Sequence, residues 1–178
     1  MSEFEFIAVF VSIVFGLSLT QILSGAVAQV QNRSLRVNQM GWTLFVLYVL
    51  ALNWWTFFPW SKNESWTFGE FAVVMVWALG HYAMASALYP SRSLDGYSFE
   101  ERRPLVLWAF LFAAAADAAQ TAAQGMLFEP WYYLPFVLYL MCTTALGLIT
   151  HNGSVHRLIP WVLIASATVW SLVVRWVL

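Results

Sequence analysis

The stretch FEFIAVFVSIVFGLSLTQILSGAVAQV, Phe4–Val30, decides how this chain folds. It holds a single acidic residue, Glu5, and no basic one. A membrane-spanning helix needs about 20 mostly apolar residues, and this run exceeds that length. Ser2 followed three residues later by Glu5 has the pattern of a capping box, which sets the helix start. Glu3 and Glu5 stand where a secretory signal would carry basic residues, and the apolar run is too long for one. The segment is therefore expected to be retained as a helix.

Five further stretches of the same kind follow, near Met40–Trp60, Trp66–Tyr89, Pro104–Leu127, Trp131–Thr150 and Val155–Val177. The expectation is an all-α polytopic membrane protein, a six-helix bundle forming one transmembrane domain over residues 1–178. Composition agrees: of 178 residues, 61% are hydrophobic and 10% charged, with a mean hydropathy of +0.70. A soluble domain is closer to about 45–50% apolar and about 25% charged, so soluble enzymes and disordered chains are excluded. The net charge of −1 offers no basic excess for nucleic acid. The single cysteine, Cys142, excludes an intramolecular disulfide and any CxxC metal or redox motif.

Charge in the connections sets a direction. Arg33, Arg36, Arg92, Arg102, Arg103 and Arg157 fall on one side, while Lys62 and Arg175 fall on the other. The positive-inside rule then places both termini outside and the Arg-bearing loops in the cytoplasm. Trp54, Trp55, Trp60, Trp66, Trp131, Tyr132, Tyr133 and Trp176 mark the outer interface, and Trp42, Tyr89, Trp108 and Trp161 the inner one. Ser98-Phe99-Glu100-Glu101 reads as a second capping box ahead of helix 4.

Lipid is as apolar as leucine, so membrane helices associate through small residues and buried polar contacts. Helix 1 carries Ser12, Gly16, Thr20, Ser24 and Ala28 at four-residue spacing, with Gly25 beside them. Helix 4 carries Ala113 to Ala116, Ala118, Ala119, Ala122, Ala123 and Gly125. These two surfaces predict that helices 1 and 4 meet centrally, with self-association as the competing use of one face.

The polar residues within the spans are the candidates for function. An Asp at the centre of a membrane helix costs about 2.5–3.5 kcal/mol, so Asp117 needs a reason. Gln120, Thr121 and Gln124 share its helical face. Gln21 joins from helix 1, Asn53 and Thr56 from helix 2, and His81 from helix 3. Glu70, about three turns from His81 on the same face, pairs with Arg175 as an outer charge pair or extends a titratable ladder with Asp117 and His81. His151 and His156 read as interfacial caps. The polar stripe serves either as a path for protons or ions or as interhelical glue, with a cofactor or partner-helix site as a third use.

Several chemistries are excluded by what the chain lacks. The only lysine, Lys62, lies in a loop, so no retinal linkage is possible. His81 and His151 lie at different depths, which excludes a bis-histidine haem. There is no P-loop, HExxH or GxSxG. No metal site and no cofactor are expected.

The opening Phe4-Glu5-Phe6-Ile7-Ala8-Val9 and the run Gly16-Leu17-Ser18-Leu19-Thr20-Gln21-Ile22-Leu23-Ser24-Gly25 resemble a group of small, uncharacterised multi-pass proteins of bacterial inner membranes. The resemblance covers helix 1 and a general Trp-rich layout. It implies a bacterial inner-membrane location and carries no activity.

The expected function is a small transporter or channel-like protein for protons, an ion or a small solute. In it Asp117 is the central site, His81 its inner relay, and Gln21, Gln120 and Asn53 the orienting shell. The alternative is an accessory or scaffold subunit with a purely structural stripe; a membrane enzyme ranks behind both. The partners expected are the lipid bilayer, further copies of the chain in a homo-oligomer and another membrane protein, with no nucleic acid.

Overall fold

The computed structural model describes residues 2–32, 37–63, 65–90 and 98–172. Six helices carry them: α1 (Glu3–Gln31), α2 (Val37–Phe57), α3 (Phe68–Leu88), α4 (Phe99–Ala123), α5 (Tyr133–Ile149) and α6 (Gly153–Trp170). A 3₁₀ turn, Phe58–Lys62, extends α2. No strand occurs among the described residues. Four of the helices, α1, α2 with its 3₁₀ extension, α3 and α4, are long and apolar enough to cross a membrane. α5 is apolar but has 17 residues. The chain is thus an all-helical membrane protein, and its outer surface fits lipid: Phe6, Val9, Ile13 and Leu17 of α1 and Trp108 and Phe112 of α4 are all exposed.

Local chemistry explains where the helices begin and end. The Ser2–Glu5 capping box forms in full: Ser2 Oγ accepts from the Glu5 N–H at 3.2 Å, and Glu5 accepts from the Ser2 N–H at 2.8 Å. Thr67 and Glu70 form the same reciprocal pair at the start of α3. At α4 the expected box does not close. Ser98 makes no side-chain cap bond, and its hydroxyl donates to Glu100 at 3.3 Å. α4 starts at Phe99, ahead of the expected Pro104, and stops at Ala123 rather than Leu127. Gly125 ends it: at φ +71° it takes the left-handed conformation that favours glycine. Its N–H bonds Ala122 O at 2.9 Å, and the Met126 N–H bonds Thr121 O at 3.1 Å, a Schellman termination.

The helices pack as a ring with one helix outside it. α2, α3, α4, α5 and α6 touch in sequence and close through α2 against α6, while α1 lies against α2 and α3. α1 runs parallel to α3: the Trp66 N–H, just before α3, donates to Glu3 at 2.9 Å, and Gln21 near the other end donates to the carbonyl of Tyr89. α3 and α4 are antiparallel and close. A Cβ placed on Gly80 would stand 3.3 Å from Ala113 Cα, so the alanine-rich face of α4 seats on α3. The expected central pairing of helices 1 and 4 is therefore replaced, with α3 standing between them.

The small-residue face of α1 meets no helix among the described residues of this chain. Gly16, Thr20 and Ser24 are exposed and Ser12 is half-buried. Thr20 Oγ1 bonds back to Gly16 O at 2.8 Å and Ser12 Oγ to Ala8 O at 2.6 Å. α1 instead buries Ile7, Val11, Val14, Phe15 and Ile22, larger side chains that remove more apolar surface on the same helical period, with Ser18 buried among them and its hydroxyl bonded to Val14 O at 2.8 Å. Gly25 is the exception: the ring of Tyr89 occupies the space a Cβ there would need.

At the end of the bundle where α1 stops, a closed polar network ties α1, α2 and α3. Gln29 Nε2 donates to Gln39 Oε1, and Gln39 Nε2 donates to Leu88 O at 3.3 Å. The Tyr89 hydroxyl pairs with Thr43 Oγ1 at 2.7 Å and donates to Gln29 Oε1 at 3.4 Å. Gln29, Gln39, Thr43 and Tyr89 are all buried.

Candidate functional site

Toward the opposite end, the ring of five helices encloses a cavity of about 400 Å³. α2 brings Asn53 and Thr56 to it, α3 brings His81, and α4 brings Asp117, Gln120, Thr121 and Gln124. Their period on α4 made this stripe legible, since positions i, i+3, i+4 and i+7 share a face. The facing wall is aromatic, built from Tyr132, Tyr133 and Phe136 of the α5 start and Trp170 of α6. Phe45, Phe110, Val137 and Leu140 make the lining apolar at depth, and Met126, Glu129 and Pro130 of the α4–α5 connection line it as well.

Asp117 is half-buried and holds two hydrogen bonds. Trp77 Nε1–H donates to Oδ1 at 3.0 Å, and the Tyr133 hydroxyl donates to Oδ2 at 2.8 Å. Thr121 Oγ1 donates to the same Tyr133 oxygen at 2.9 Å, which leaves the phenol proton directed at Asp117. An indole N–H can only donate, so both carboxyl oxygens act as acceptors. The partners differ from the expected Gln21, Gln120 and Asn53.

His81, 1% exposed, is fixed in one tautomer. Its Nδ1 lies 2.8 Å from the carbonyl of Trp77, which can only accept, so Nδ1 carries the proton. Nε2 then accepts from Asn53 Nδ2 at 2.8 Å. His81 and Asp117 are thus joined through one residue, Trp77, by its carbonyl on one side and its indole on the other. Trp77 is held rigidly, with its ring centroid 5.2 Å from that of Phe15 and 5.7 Å from that of Phe57. Gln120 is buried and accepts from Trp60 Nε1 at 2.6 Å and from Gln124 Nε2 at 2.9 Å.

Of the residues picked out in the sequence, Asp117, His81, Asn53, Gln120, Thr121 and Gln124 all meet on this cavity. Gln21 does not; it belongs with Tyr89 on the far side of α3. Glu70 is occupied by the Thr67 cap, with Asn63 Nδ2 donating to it at 3.4 Å, so it does not extend a ladder toward Asp117. Arg175, its expected partner, lies outside the described residues. His156 Nε2 bonds the carbonyl of Thr150 at 2.9 Å, at the end of α5. Sequence reasoning read Trp60, Tyr132 and Tyr133 as interfacial anchors and missed Trp77, Phe136 and Trp170, which sit in apolar runs where an aromatic residue reads as packing or lipid contact. One signal was present: Trp77 stands one turn before His81 on the same face.

The arrangement defines a class: a helical membrane protein with an internal, partly polar cavity and, on its wall, a carboxyl group carried by a helix long and apolar enough to cross a membrane. Comparison with family models, with curated proteins and with solved structures finds no match for the chain. Among the described residues no group of three His, Cys, Asp or Glu is placed to hold a metal ion.

Proposed function

We propose that this protein moves a small solute, an ion or protons across a bacterial inner membrane, with the cavity at Asp117 as its substrate site. The observation that carries the reading is the cavity itself, since about 400 Å³ of space lies beside an intramembrane Asp. Interhelical glue needs no such space. In this reading all six helices cross the bilayer with both termini outside, so the cavity approaches the outer face through the α4–α5 connection. The Arg-bearing loops support that direction. The 17 residues of α5 reach about 25 Å, and Trp131 and Tyr132 extend its interfacial anchor. A proton passing between Asp117 and His81 would travel through water in the cavity, because the Trp77 indole N–H donates but does not accept.

A scaffold role is the second reading, favoured by the exposed face of α1 at Gly16, Thr20 and Ser24, which suits a second copy or a partner helix. Purified protein in proteoliposomes decides between the two. The parent should pass protons or a small ion down an imposed gradient, Asp117→Asn should fold yet lose that flux, and His81→Gln should lose part of it. No flux above empty liposomes, or flux that survives both substitutions, overturns the transport reading.

A further inference from the structure

The cavity lining is chemically one-sided. Among the described residues that form it, Asp117 and Glu129 are acidic and none is Lys or Arg. Both ring nitrogens of its one histidine are engaged, by Trp77 and Asn53. An anion would meet two carboxyl groups with no compensating charge. A bare divalent ion is best held by several carboxylates, and among the described residues no group of three His, Cys, Asp or Glu is placed to supply them. The rest of the wall is aromatic and aliphatic, with Phe136 and Trp170 stacked at 4.3 Å and Tyr132 and Tyr133 ringed about Trp170 at 5.3 and 6.2 Å.

We infer that the cavity binds a lipophilic organic cation, an amine or quaternary ammonium carrying an apolar body. Asp117 supplies the counter-charge almost two turns inside the end of α4, and Glu129 draws the cation in from the α4–α5 connection. The faces of aromatic rings attract cations through their quadrupoles. Phe136 and Trp170 turn one face each to the other, so it is the ring faces of the Tyr132–Tyr133–Phe136–Trp170 wall outside that stack that would complement the charge the carboxyl groups select. Phe45, Val49, Phe110 and Leu140 take the apolar body. The volume suits a small organic molecule, since such sites measure roughly 300–1,000 Å³. Tyr133, held by Thr121 and bonded to Asp117, keeps the carboxyl group aimed into the site. The inference deepens the translocation reading and rests on it for calling the cation a substrate.

Equilibrium binding to the full-length protein in lipid nanodiscs, read by tryptophan fluorescence and calorimetry, tests it. The probes are benzyltrimethylammonium, its uncharged carbon isostere neopentylbenzene, and the anion benzylsulfonate. The cation should bind saturably at one site, and the isostere and the anion about tenfold or more weakly, as loss of a charge pairing of about 1.4 kcal/mol implies. Asp117→Asn should cost the cation about tenfold, and Trp170→Leu about three- to tenfold, in line with cation–π energies. Glu129→Gln, at an exposed position where the change leaves folding intact, should weaken the cation while leaving the isostere unchanged. Equal binding of the isostere, or a cation affinity untouched by both Asp117→Asn and Glu129→Gln, overturns the inference. Cation binding without any flux defeats only the transport reading, and proton flux without cation binding defeats only this one.

Discussion

The two polar clusters of this bundle use similar residues and reach opposite ends. At the end where α1 stops, Gln29, Gln39, Thr43 and Tyr89 are buried, and their hydrogen bonds join three helices. Around Asp117, Asn53, Thr121 and Tyr133 are half-buried and face about 400 Å³ of space. The first cluster holds α1 onto α2 and α3. The second lies inside the ring from which α1 is excluded, and a ligand can reach its polar atoms. An intramembrane polar residue is thus read by what stands opposite it rather than by its own type, and removing single groups from each cluster is the way to separate anchor from site.

The largest effect is expected at Gly25. The Tyr89 ring occupies the place of a Cβ there, and Tyr89 is itself fixed by Thr43 and Gln29. Gly25→Leu must displace that ring and break the closed network, at a cost of about 3 kcal/mol, the upper range for overpacking. Thermal unfolding in detergent should show a markedly lowered midpoint and a reduced folded yield. An unchanged midpoint would mean that the closed cluster is as yielding as the open one.

A matched pair of smaller changes sharpens the contrast. Tyr89→Phe and Tyr133→Phe each remove one hydroxyl from one cluster. Hydrogen bonds between membrane helices average about 0.6 kcal/mol and reach about 1.7. Tyr89→Phe should lie near the upper value, because Thr43 and Gln29 are left in a buried site without that partner. Tyr133→Phe should cost less stability, because the cavity lets solvent replace the lost bond to Asp117. The functional readout should reverse: Tyr133→Phe should weaken flux and cation binding severalfold, and Tyr89→Phe should leave both near the parent. If both variants behave alike in stability and in flux, the division into anchor and site is wrong.

Periodicity and capping chemistry make much of this legible in the sequence. Ser2 and Glu5 announce the start of α1, and the spacing of Asp117, Gln120, Thr121 and Gln124 is enough to put one wall of the cavity on a single helical face. What the sequence does not disclose is pairing between helices. Gln21 and Gln120 are the same residue type at comparable places in apolar helices, yet one meets the carbonyl of Tyr89 and the other meets Trp60. Nothing local distinguishes them. Gly125 reads as one more packing residue of the alanine run, although a glycine just past such a run is equally a helix terminator. Its left-handed turn shortens α4 and brings the aromatic start of α5 to the site. Four-residue spacing of small residues on α1 indicates a surface suited to close approach without naming what approaches it.

The smallest effect is expected at Gly16, nine residues before Gly25 on the same helix. A Cβ at Gly16 would meet nothing within 4 Å, and the position is exposed. Leucine is also a better helix former than glycine, by about 0.5–1 kcal/mol in a helix interior. Gly16→Leu should therefore leave the stability of the monomer at the parent's value or up to about 1 kcal/mol above it. Its effect should fall on association. A leucine standing out of the Ser12–Gly16–Thr20–Ser24 face prevents the close backbone approach that small residues permit, so cross-linking in lipid should show fewer dimers with the fold intact. A loss of folded monomer would place a helix of this chain over Gly16 and contradict the ring arrangement. An unchanged monomer with unchanged association would assign the face to lipid, and α1 would then act through Gly25 and its buried side alone.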